Sequence, residues 1–303
     1  MAPRLIINAD DFGLTPGVNR AIAELHQAHA LTSTTLMATG PAFDDAVGVA
    51  HANPTLGVGC HIVLTDGVPV SSPESIPTLI GPDRKAFRHS LIDLVQALLR
   101  GKIREDDIER EAGAQIQKLQ LAGIKVTHLD THKHTHLFPA VLRPLLRLAE
   151  HHGVDAIRHP FEQSWSLALG HGNRIRRLQV KLLGSLKTRF EQHPQIRDAH
   201  LLTTDGTIGI SATGNLYRET LHEILHAIPA EGTFELCCHP GYNDGDLDRI
   251  TTRLRTHRDI ERDALLSEVP TLALHPNAPQ LINYGGLRAI GSIGRVSPLI
   301  TNT

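Results

Sequence analysis

Cysteine is scarce in this chain of 303 residues, which has only Cys60, Cys237 and Cys238. An odd number, two of them adjacent, argues against a disulfide framework and favours a reducing compartment. Long apolar runs are missing as well. Leu5, Ile6 and Ile7 are the whole apolar stretch before the first acids, too short for the core of a signal peptide. Nothing later approaches the run of about eighteen uncharged residues that a membrane span needs. The expectation is a soluble, cytoplasmic protein. Neither sign of charge dominates: 30 Lys and Arg stand against 32 Asp and Glu, a formal net charge of −2, so the basic field that would argue for nucleic acid is absent. There is no glycine-rich phosphate loop, internal repeat or Ser/Gly linker. What the chain does have is 41% hydrophobic residues, enough for a core, and a length suited to one α/β barrel. It also has 20 histidines, an excess that signals either metal and proton chemistry or plain bias, and position must decide between them.

Short apolar runs alternate with helical patterns throughout, the signature of βα units and a parallel sheet. Strands are predicted at Leu5–Asn8, Leu31–Thr39, Leu56–Leu64, Ile124–Asp130, Ala156–Arg158, Thr233–Cys238 and Gln280–Tyr284. Helices are predicted from Thr15 and Pro16 to His29, and over Ala42–Ala52, Ser90–Leu99, Glu105–Leu121 and Pro139–His152, the last with Pro144 as an awkward interruption. Residues 65–88, rich in Pro and Gly, read as a long loop.

Four clusters could carry chemistry. Asp10 and Asp11 sit where the first strand gives way to a loop, the end of a parallel strand at which active sites form. Adjacent residues of an extended chain point to opposite sides, so the two acids need different roles unless the backbone has already turned. His61 lies in an apolar strand, where a core histidine with satisfied nitrogens is the commoner outcome. THLDTHKHTHLFP puts His128, Asp130, His132, His134 and His136 at every second position, all on one face if the backbone stays extended. His239 follows the apolar TFEL strand, and the neighbouring Cys237 and Cys238 read as small buried residues. Asp11, His61 and one of the His132 group make a mixed oxygen and nitrogen set suited to a catalytic divalent ion. Ligands scattered this widely exclude a finger-type structural site.

NADDFGLTPGVNRAI, TSTTLMA, LGVGCHIVLT, THLDTHKHTHLFP and CCHPGYND, in this order, resemble the YdjC-like carbohydrate deacetylase family, which includes chitooligosaccharide deacetylase and a hopanoid-associated branch. The resemblance covers residues 4–160 and resumes over about 233–265. It implies a single distorted (β/α) barrel over residues 1–303, with a strand-end metal site, a divergent insertion at 161–232, and often a homodimer. It further implies one divalent ion, Mg²⁺ or Zn²⁺, held by Asp11, His61 and His132, with Asp10 as general base and His239 as candidate acid. Lys133 stands where relatives often carry another histidine, so His132 must serve.

The activity implied is metal-dependent hydrolysis of the N-acetyl group of an N-acetylglucosamine-type sugar, free or in an oligosaccharide or glycoconjugate. Arg158, at the end of the AIRHP strand, either holds the base carboxylate, or receives the anionic intermediate, or is a solvated surface residue. Arg174–Phe190 reads as a basic amphipathic helix that packs as an ordinary surface helix, covers the site, meets a second subunit or touches a membrane surface. The competing functions are a catalytically silent metal- or sugar-binding barrel and a phosphoester hydrolase on the same scaffold.

Overall fold

The computed structural model describes residues 2–169, 180, 183–272 and 274–287. Seven strands form one parallel sheet: β1 (Arg4–Phe12), β2 (Ser33–Leu36), β3 (Gly57–Ile62), β4 (Leu129–Thr131), β5 (Gly206–Ile208), β6 (Thr233–Cys238) and β7 (Gln280–Leu281). The order is β4-β3-β2-β1-β6-β5, with β7 beside β1. Single bridges join Leu129 to Ile157 and Glu162 to Thr207, so segment 156–162 links the β4 and β5 edges and the sheet curls into a distorted barrel. Leu5–Phe12 of β1 are buried on both faces, as parallel strands covered by helices must be.

The first helix, α1 (Pro16–Gln27), shows why the local reading works. Thr15 caps it by accepting the Val18 N–H at 3.2 Å, Pro16 opens it, and Val18, Ile22 and Leu25 bury one stripe. The later helices α2 (Phe43–Ala52), α3 (Leu91–Leu99), α4 (Glu105–Leu121) and α5 (Pro139–His151) match the predicted ones, and α5 runs through Pro144 without a break. No described helix is long and apolar enough to cross a membrane.

Several expectations need correcting. Strand four does not run from Ile124 to Asp130; only Leu129–Thr131 pairs as a strand, and the chain turns into a 3-10 segment, His132–Leu137, directly after it. Ala156–Arg158 is not a strand but a pair of isolated bridges, to Leu202 and Leu129. The 161–232 segment supplies β5, three residues that pair with β6, and so contributes to the sheet itself. Residues 174–179, 181 and 182 of the Arg174–Phe190 stretch lie outside the described residues; at its end, Lys187–Glu191 is helical and the Phe190 ring is buried against His159 and Phe161.

Candidate active site

The functional side chains converge at the carboxyl ends of the strands. On β1 the register with β2 steps from Ala9↔Thr34 to Phe12↔Leu36, one residue too many on β1, and Asp11 takes up the surplus with φ at 66°. This bulge rotates the chain where straight pleating would send adjacent carboxylates to opposite faces. Both Asp10 and Asp11 therefore reach the site. β3 and β4 align His61 with Asp130 as register partners, and His132 starts the turn immediately after β4.

Asp11 Oδ1 lies 3.6 Å from His61 Nε2 and 3.3 Å from His132 Nδ1, and those two nitrogens are 3.3 Å apart. Ligand bonds of about 2.0–2.1 Å at a tetrahedral angle separate donor atoms by about 3.4 Å, so the triangle fits one divalent ion. Asp11 Oδ1 is buried and accepts no hydrogen bond, as a ligand atom would. Behind the triangle, His61 Nδ1 meets Asp130 Oδ1 at 2.7 Å, which turns Nε2 toward Asp11 and His132. Burial pulls the His61 imidazolium down, but Asp130, Asp10 and Asp11 more than offset this and raise the ring to about 9. A cation would take the place of the Nε2 proton.

Asp10 faces a second arrangement. Its two oxygens receive Arg158 Nη1 and Nη2 at 2.9 and 2.6 Å, a bidentate fork. Arg158 is fully buried, so the solvated-surface reading of this residue fails. The same guanidinium meets Asp130 Oδ2 at 2.5 Å and donates to Glu235 Oε1 at 2.6 and 2.8 Å, while Tyr284 donates its hydroxyl to Glu235. Burial alone would push the Asp10 carboxyl up; Arg158 reverses that and holds it well below the usual carboxylate range. Glu235 goes the other way, because burial outweighs what Arg158 returns. His239 Nε2 is 3.7 Å from Asp10 Oδ2, and the His239 backbone N–H donates to Glu261 Oε2 at 2.5 Å. The Cys237 thiol points at Asp10 Oδ2 at 3.5 Å; burial raises it well above its ordinary range, so it stays protonated.

The alternating histidines separate in space instead of sharing one face. Lys133 and His134 adopt left-handed φ values of 60° and 53°, which ends the extended run at His132. His128 is buried and stacks on Tyr284 at 3.7 Å, above Gly59, where a Cβ would fall 2.5 Å from the imidazole. His136 bonds to Thr131 Oγ1 and to the Arg158 carbonyl, and burial beside Arg158 pulls it down to about 3, leaving it neutral. Lys133 reaches outward to pair with Asp66.

Sequence reasoning missed Thr35, Glu235, Arg258, Glu261 and Tyr284. Thr35 Oγ1 sits within 3.3 Å of Asp10, Asp130 and His61. Glu235 did leave a signal: it is a lone charge inside the apolar TFELCC strand. The others had none.

A buried Asp/His centre shaped for a divalent ion, set at the strand ends of a parallel α/β barrel, defines the class of protein. The family model described as YdjC-like protein matches residues 4–274, and the chain belongs to that family. It is 30% identical over 287 residues to a carbohydrate deacetylase of Thermoanaerobacter pseudethanolicus, covering 94% of this chain and 99% of that protein. With carbohydrate deacetylase 1 of Listeria innocua the identity is 40% over 251 residues, 82% of this chain and 86% of the relative. The match to the Brevibacillus brevis carbohydrate deacetylase is 44% over 158 residues, and spans 52% of this chain and 60% of that protein. A crystal structure from Enterococcus faecalis V583, named for cellobiose-phosphate cleavage, superposes with a TM-score of 0.73 at 26% identity, covering 95% of this chain and 99% of that one.

Proposed function

We propose that the protein is a metal-dependent carbohydrate deacetylase that hydrolyses the N-acetyl group of an N-acetylglucosamine-type sugar, as a free oligosaccharide or a glycoconjugate. The observation that carries this reading is the Asp10 carboxylate, held by Arg158, 3.7 Å from His239 and one residue from the Asp11, His61 and His132 triangle. The names of the relatives supply the sugar and the acetyl group.

A divalent ion, when bound by Asp11, His61 and His132, supplies a Lewis acid that polarises the amide carbonyl and acidifies water. Asp10 accepts the proton of the attacking water. Arg158 keeps Asp10 ionised, so the proton-accepting form is always present, and the bidentate fork fixes the direction of its oxygens. His239 protonates the departing nitrogen, a step the reaction requires because an amide anion does not leave. Its mostly buried imidazole lies beside Asp10, with Nε2 3.7 Å from Asp10 Oδ2.

The name of the Enterococcus structure raises phosphoester chemistry as a second reading. The charges oppose it. Arg158 is committed to three carboxylates and Arg258 Nη2 to Asp11, which leaves the buried Arg258 Nη1 as a single uncommitted guanidinium donor for a phosphate dianion.

Acetate release from N-acetylated chitobiose and related amino sugars tests the proposal. Release is expected with divalent metal and is lost with a chelator; Asp10→Asn lowers the rate by about 10²–10⁴ while metal stays bound. A folded, metal-loaded protein that frees no acetate from a broad panel of N-acetyl sugars would overturn it.

A further inference from the structure

The helix Thr256–Leu272 sends two side chains, three residues apart, into the site: Arg258 Nη2 donates to Asp11 Oδ2 at 2.6 Å, and Glu261 accepts the His239 N–H. Arg258 is buried, with 1% of its surface exposed. Its side chain is held along its length. Nε donates to the Leu254 carbonyl at 3.2 Å, and the stem passes Gly241, where a Cβ would stand 3.0 Å from Arg258 Cδ and 3.1 Å from Val18 Cγ2. The Pro-Gly pair after His239 thus keeps open the path by which the guanidinium reaches Asp11.

Asp11 needs such a hold. It sits in a left-handed bulge, and of its two oxygens Oδ2 is taken by Arg258 while Oδ1 has no hydrogen-bond partner and faces His61 and His132. A carboxylate free to rotate could offer a cation both oxygens or swing away; one clamped at Oδ2 offers only Oδ1.

We propose that Arg258 is a positioning residue that fixes Asp11 as a one-oxygen ligand of the divalent ion, an inference that rests on the metal reading of the site. A guanidinium beside a cation also repels it, so the surrounding carboxylates must leave the site attractive to the ion. Asp10, Asp11, Asp130 and Glu235 lie against Arg158 and Arg258, so carboxylates exceed arginines and the ion still enters a negative site. On this proposal the clamp on Asp11 outweighs the repulsion, so that losing it weakens binding.

The test uses the full chain and Co²⁺, with affinity read by calorimetry and coordination by the visible spectrum. Arg258→Met is expected to bind Co²⁺ about 10–100-fold more weakly than the parent, the range for losing a group that orients a ligand. Its absorption should also weaken, as a second Asp11 oxygen raises the coordination number. Arg258→Lys, which keeps the charge without the planar fork, should fall between the two, whereas a purely structural role would lower the melting temperature and leave affinity and spectrum unmoved. If Arg258→Met does not fold, Gly241→Ala provides the check: it presses on the Arg258 stem and should lower affinity in the same direction. Parent-like affinity and spectrum in the folded variants overturn the inference alone. A parent protein that binds no Co²⁺ overturns the metal reading with it.

Discussion

Replacing Arg158 with Met removes the cation that Asp10, Asp130 and Glu235 share in the barrel interior. All four side chains are at least 97% buried, so water cannot take over the lost role. Breaking a buried pair from one side costs about 3–5 kcal/mol because an uncompensated charge is left behind. Glu235 is already raised by burial and relieves part of the strain by taking up a proton, which argues for the lower half of that range. For a chain of this length the unfolding entropy is about 0.6 kcal/mol per degree, so the melting temperature should fall by about 5–7 °C. The assay is urea and thermal unfolding of chelator-treated protein at pH 7, with Arg158→Lys alongside to separate charge from fork geometry.

The sign of the pH dependence is fixed as well. Asp10 is depressed in the folded state, so its contribution is full above the unfolded carboxylate value of about 4 and is lost as pH falls. The gap between parent and variant should therefore close on acidification. A gap under about 1 kcal/mol at pH 7, or one that stays constant down to pH 3, would refute the view that Arg158 balances ionised carboxylates.

Two further predictions follow from separate parts of the structure. His61→Ala and His132→Ala should each lose most bound metal, whereas His239→Ala should keep it and lose turnover; elemental analysis beside steady-state kinetics checks this, and equal metal loss in all three would remove His239 from the acid role. Asp107 accepts the Thr78 N–H and hydroxyl at 2.9 and 2.7 Å and the Arg104 guanidinium at 2.6 Å, and against the upward push of burial these hold its carboxyl below the usual range. Asp107→Asn should cost about 1–2 kcal/mol at neutral pH, a difference that shrinks as pH falls through the carboxylate range in denaturant titrations.

The sequence alone carried what depends on neighbours along the chain. Thr15 and Pro16 announced α1, the acids Glu105, Asp106 and Asp107 announced α4, and apolar runs located β1, β3 and β6, because capping, dipole and burial periodicity act within a few residues. The same locality exposed Asp10, Asp11, His61, His132 and His239 at strand ends. β5 went unseen because three residues make no periodic pattern, and the shared face of the THLDTHKHTHLFP histidines failed because two non-glycine residues, Lys133 and His134, take left-handed conformations that nothing local demanded. The partners that give the site its character were decided only by closure of the barrel: Arg158 reaches Asp10 across 148 positions and Arg258 reaches Asp11 across 247. Which carboxylate meets which guanidinium depends on strand order and on the bulge at Asp11, and a buried ion pair forms only where the tertiary fold excludes water from both charges at once.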